Sequence, residues 1–95
     1  MTLPVIAVID AKPEFNDEVE LALRDMLLPT RAEGGCLQYE LTQDQASSTR
    51  WIMVERWQDE LALERHLVSA HMDQLGVALS GRIIDLKIYR LNLIA

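Results

Sequence analysis

The chain has 95 residues, a formal net charge of −6, 49% hydrophobic residues and a single cysteine. It is too short to divide into two bodies that each bury a core, so one domain spanning residues 1–95 is expected. An acidic chain lacks the basic face that nucleic acid requires and does not suit an anionic membrane.

From the start, Leu3 to Ile9 is apolar on both alternating faces, which predicts a strand buried on both sides. Asp10 to Pro13 ends it, and Pro13 suits the first turn of a helix. Phe15, Val19, Ala22, Leu23 and Met26 then form one amphipathic stripe. Pro29 is expected to kink or restart this helix, and Gly34 and Gly35 to stop it. Leu37, Tyr39 and Leu41 alternate with polar residues, giving a strand over Cys36 to Gln43 with one wet face. After a polar turn, Arg50 to Trp57 reads as its antiparallel partner. Asp59 can cap a helix in which Ala62, Leu63, His66 and Leu67 share a face. Ser69 caps a fresh segment carrying Met72, Leu75 and Leu79, which Gly81 closes. Ile84, Leu86 and Ile88 mark the last strand, and an apolar tail, Leu91 to Ala95, follows.

No run approaches the roughly 20 apolar residues that span a bilayer. Met1-Thr2-Leu3-Pro4 has none of the features of a signal peptide, and Cys36 can form no intrachain disulfide, so the cytoplasm is expected. The order β-α-β-β-α-β is the ferredoxin-like split unit of the α+β class, a four-stranded antiparallel sheet with the helices on one face. The other face cannot be wholly polar, because strand one is apolar on both sides and Trp51 and Met53 oppose Ile52 and Val54. Each such side chain is worth about 1.5–3 kcal/mol when fully buried. A two-fold partner stacked sheet on sheet is the simplest cover, so a homodimer is expected, with the tail reaching across to the partner; the alternative is a monomer whose tail folds back over its own sheet.

Two segments carry a resemblance. Glu33-Gly34-Gly35-Cys36-Leu37-Gln38-Tyr39-Glu40-Leu41 with Gln43-Asp44 is one; Val54-Glu55-Arg56-Trp57 with Ala62-Leu63, His66-Leu67 and Ser69-Ala70-His71-Met72 is the other. Together they resemble the antibiotic biosynthesis monooxygenase family, whose members are small dimeric α/β barrels that include quinol monooxygenases. The resemblance implies that fold and a cofactor-free oxidation of phenols, quinols or anthrone-type substrates. Other members degrade haem or isomerise a phosphorylated sugar, and fold alone does not select among these. Relatives that carry a His where Thr42 stands have one more base than this chain. Haem degraders use Asn, Trp and His where Ile6, His66 and Gly76 stand here, so haem degradation is not expected.

Met53, Glu55 and Trp57 share one face of their strand. If that face looks toward the helices, His66 serves as base, Glu55 orients it and Trp57 packs on the substrate. If not, Glu55 lies at the dimer interface, and the sequence leaves this open. The bland alternative is that His66 is a satisfied interior histidine and Trp57 simply core. Tyr39, Met53, His71 and Met72 are further expected substrate contacts. His71 lies five residues after His66, about 140° around a continuous helix, so the pair is a poor metal site. A helix break at Ser69 weakens that geometry without creating a ligand set, and His71 is expected at the pocket mouth or on the surface. Cys36 has nothing basic near it in sequence and reads as a strand residue. With no Gly-rich phosphate loop, dinucleotide fingerprint or Cys/His cluster, no nucleotide, flavin or metal is expected. The expected activity is monooxygenation of a small quinol-like or phenolic aromatic; an isomerase acting through the same His, or a non-catalytic dimeric binding module, are the alternatives.

Overall fold

A computed structural model describes all 95 residues. It contains strands β1 (Leu3–Ala11), β2 (Cys36–Gln43), β3 (Arg50–Trp57) and β4 (Ile83–Arg90), and helices α1 (Asn16–Arg24), α2 (Leu27–Arg31), α3 (Glu60–Leu67) and α4 (Ala70–Leu79). The strands form one sheet in the order β2-β3-β1-β4, every neighbouring pair antiparallel. This is the ferredoxin-like arrangement, with β2 and β4 as open edges; the sheet of one chain does not close into a barrel.

Strand periodicity of two sorts the side chains onto the faces. Val5, Ala7, Ile9 and Ala11 of β1, and Trp51, Met53, Glu55 and Trp57 of β3, are all buried under the helices. The face of β3 that carries Glu55 is therefore the helix face, and Ile52 and Val54 point to the other side. There they join Ile6 and Val8, all four half-buried, with Tyr89 paired beside Ile6.

The helices meet the sheet with the expected stripes. Val19, Leu23 and Met26 are buried from the first, Ala62, Leu63 and His66 from α3, and Leu75 and Leu79 from α4. The break between α1 and α2 falls at Asp25–Met26, four to three residues ahead of Pro29. A proline ring clashes with the carbonyl four residues back, so one continuous helix is excluded, whereas Pro29 is tolerated in the first turn of a new one. Asp59 accepts the Ala62 amide hydrogen at 2.9 Å and caps α3. The Ser69 hydroxyl accepts the Met72 amide hydrogen and donates to the His66 carbonyl at 2.7 Å, ending α3 and starting α4 with one side chain. Gly35 lies in the left-handed region (φ 87°), and a Cβ there would sit 2.6 Å from that of Ala62. Its carbonyl accepts the Gln58 amide hydrogen at 2.8 Å, so the start of β2 is pressed against the start of α3.

The tail begins with a Leu91 amide hydrogen bond to the Pro4 carbonyl, and Leu93 and Ile94 are exposed. No helix is long and apolar enough to cross a membrane.

Candidate functional site

Between the helix face of the sheet and α1, α3 and α4 lies a cavity of about 50 Å³ whose wall is almost entirely apolar. One ordered water needs roughly 10–15 Å³ and a cavity that takes a benzene ring is about 150 Å³. The space as it stands therefore holds a few waters, and a ring enters only if the partly open wall of Leu86 and Ile88 gives way. Tyr39, Met53 and Met72 line it, and Glu55, His66 and the Tyr39 phenol are its ionisable groups; no Lys or Arg reaches it. Leu86 and Ile88 of the edge strand form its outer wall and stay partly open to solvent, at 39% and 42% exposure.

His66 sits in the last turn of α3, where packing of its Ala62–Leu63 face against the sheet drives the imidazole inward. Its Nδ1 lies 2.6 Å from Glu33 Oε2, on the turn that follows α2. Its Nε2 makes no hydrogen bond within the chain. The ring is wedged between aromatic neighbours, with Trp57 4.7 Å away centroid to centroid and Tyr39 5.6 Å away in an edge-on contact. Burial lowers the His66 pKa below its ordinary value, and the hydrogen bond to Glu33 opposes this without reversing it. The ring is thus neutral near pH 7. With Nδ1–H donating to Glu33, Nε2 keeps its lone pair.

Glu55, expected to orient His66, makes no hydrogen bond to it. Glu55 accepts the Trp57 indole hydrogen at 2.9 Å, and Glu33 is the carboxylate bonded to His66. Trp57, expected to pack on the substrate, is fully buried, is not among the residues that line the cavity, and packs against the imidazole. Desolvation raises the Glu55 pKa from 4.5 to about 7, helped by the charge of Glu33 and opposed by the Trp57 hydrogen bond. The Tyr39 phenol is raised as well, by burial first and then by Glu55, so it stays protonated. The Cys36 thiol is pushed up by burial, Glu33 and Glu55, the opposite of what a nucleophile requires.

His71 is not in the cavity wall. Its Nε2 lies 2.8 Å from the same Glu33 Oε2, on the far side of that carboxylate, with a fifth of the side chain exposed. His66 and His71 do not lie on one continuous helix, in keeping with the fresh cap expected at Ser69. The break at Val68–Ser69 turns α4 away from the α3 axis, and both rings converge on Glu33. Sequence reasoning missed Glu33 as a chemical group because it lies 33 residues from His66. The only signal was its place at the head of the Glu33-Gly34-Gly35 segment.

A family model described as antibiotic biosynthesis monooxygenase matches residues 2–75. YcnE of Bacillus subtilis is 34% identical over 65 residues, covering 68% of this chain and 68% of that protein. Rv0793 of Mycobacterium tuberculosis is 36% identical over 73 residues, covering 75% and 71%. Both are named as candidate monooxygenases. Among solved structures, PA3566 from Pseudomonas aeruginosa superposes with a TM-score of 0.93 at 38% identity, covering 99% of this chain and 95% of that one. A structure described as an antibiotic biosynthesis monooxygenase superposes with a TM-score of 0.90 at 30% identity, covering 98% and 99%. With the sheet order, the helix-side site and these matches in agreement, the chain belongs to the antibiotic biosynthesis monooxygenase family.

Proposed function

We propose that the protein is a cofactor-independent monooxygenase of a small quinol-like or phenolic aromatic, acting as a homodimer. One observation carries the reading: an imidazole held through Nδ1 by Glu33, its Nε2 without a hydrogen-bond partner, is among the residues that line a small apolar cavity. His66 Nε2 takes the phenolic proton, and the resulting phenolate is electron-rich enough to give an electron to dioxygen directly. Recombination forms the new carbon–oxygen bond. The O–O bond then breaks, one oxygen stays on the ring and the other leaves as water with two hydrogens. The substrate supplies all four electrons.

In this scheme Glu33 orients His66 and balances the imidazolium charge. Glu55, with its pKa near 7, holds a proton that can pass to the departing oxygen. Tyr39, Met53 and Met72 pack on the ring, and Trp57 fixes the imidazole from behind. The wall without Lys or Arg favours an apolar substrate over the phosphorylated one that an isomerase of this family would take.

The test is oxygen uptake over a panel of hydroquinones and phenols. The expected result is one O₂ consumed per substrate by the wild type, with kcat lowered roughly 10²- to 10⁴-fold in His66→Ala. Uptake no faster than buffer on every member of the panel overturns the reading.

A further inference from the structure

We propose that Glu33, His66 and His71 form a binding site for one divalent transition-metal ion, of the class that includes Zn²⁺ and Co²⁺. Each residue offers one ligand atom: a Glu33 carboxylate oxygen, His66 Nδ1 and His71 Nε2, all within 4.8 Å of one another. The two nitrogens stand 2.6 and 2.8 Å from the same Glu33 oxygen. An ion bonded tetrahedrally at about 2.0–2.2 Å to each would hold neighbouring ligands roughly 3.3–3.6 Å apart. Each nitrogen therefore has to open from the Glu33 oxygen by roughly half an ångström or more. The two nitrogens, now within 4.8 Å of each other, close to that separation, an adjustment that the part-exposed His71 ring can supply. What separates the hydrogen-bonded trio from a ligated one is the protons on the two nitrogens, which a metal displaces. Two imidazoles and a carboxylate make a borderline donor set. It selects zinc-like ions over Mg²⁺ or Ca²⁺, which want oxygen alone.

The surroundings hold this trio in place and leave it a way in. Glu33, His66 and His71 come from three segments, and Ser69 fixes the two histidines relative to each other by capping both helices at once. Trp57 and Tyr39 pin the His66 ring. His71 opens onto a surface depression beside Met26, Pro29 and Gln74, separate from the apolar cavity, which gives an ion an approach that does not cross the substrate space.

Occupancy has a chemical consequence, which rests on the proposed function. An ion on Nδ1 leaves the single imidazole proton on Nε2, where the base must be free. The metal-loaded form then cannot accept the substrate proton at His66, and the site acts as an inhibitory switch.

The experiment is titration of metal-free Cys36→Ser protein with Co²⁺, read by visible absorption, and with Zn²⁺, read by calorimetry; the Cys36 change removes a competing thiolate. One ion per chain is expected, with affinity weakened roughly tenfold or more in both His71→Ala and Glu33→Gln. The Gln variant keeps an acceptor for both rings, and circular dichroism verifies that it is folded. No cobalt bands in excess Co²⁺, or binding untouched by both substitutions, overturns the site. Oxygen uptake is measured separately: if the ion binds and uptake persists, the site stands and the role of His66 as base falls.

Discussion

Glu55 is a carboxyl group 6% exposed, with one hydrogen-bond partner, the Trp57 indole. Its pKa is raised from 4.5 to about 7, so the folded state binds a proton that the unfolded state has released between those values. The stability tied to this group is fully present below pH 4.5 and is lost as pH rises through about 7. A shift of this size corresponds to roughly 3 kcal/mol between the acidic and alkaline limits. Glu55→Gln therefore should stabilise the protein by an amount approaching that figure at pH 8–9 and by little at pH 4–5, read from urea unfolding at both ends. A gain independent of pH would mean that Glu55 is not neutralised by burial. His66 works with the opposite sign: its pKa is lowered, so its burial costs stability as pH falls below the ordinary histidine range. At this scale the residue types of the site were legible in sequence and their partners were not. Glu55 and Glu33 offer the same carboxylate, and only register and helix packing decide which one meets the imidazole.

Among the elements, the junction of β2 with α3 is the tightest. Gly35 combines a positive φ with a would-be Cβ 2.6 Å from Ala62, while a Cβ on Gly34 would meet nothing within 4 Å. Gly35→Ala is expected to lose roughly 2–4 kcal/mol, from left-handed strain and forced separation of the helix from the strand. Gly34→Ala is expected to be close to neutral. Equal losses in urea unfolding would contradict this account. The consequence for the site is direct, since Gly35 is two residues from Glu33 and its neighbour Ala62 lies one turn before His66. Pattern reasoning placed every strand and the helix caps Asp59 and Ser69, because period-two and helical stripes are local properties. It did not foresee the turn of α4 relative to α3. That turn is what sends His71 to Glu33, and its direction depends on where Leu75 and Leu79 find room over the sheet.

For the whole molecule, the outer sheet face is the unfinished part. Ile6, Val8, Ile52 and Val54 sit half-buried at its centre, Tyr89 is 47% exposed beside them, and Leu93 and Ile94 of the tail are 61% and 90% exposed. Ile6, Val8, Ile52, Val54 and Tyr89 form an apolar patch bordered by Asp10, Arg50, Asp85 and Lys87, while the tail starts beside Leu3, Asp59 and Glu60. A second copy stacked sheet to sheet about a two-fold axis would cover it. Sedimentation at micromolar concentration should return twice 10.8 kDa. Val54→Asp, which buries an unpaired charge at the centre of the patch, should weaken association at least about a hundredfold. A wild-type particle of monomer mass under these conditions would refute the dimer.

Sequence alone determined the element order, the α+β class, the caps and the family resemblance, because each is written in local periodicity or in short contiguous segments. Tertiary structure decided which face of β3 meets the helices, that Glu33 rather than Glu55 holds His66, that Trp57 supports the ring instead of lining the cavity, and that His71 joins the same carboxylate. The reason is that these contacts cross between elements: the two to Glu33 join residues 33 and 38 positions apart, and the one between Trp57 and His66, though shorter in sequence, runs from a strand to a helix. No local pattern encodes them, and they arise only when packing fixes three separate segments against one sheet.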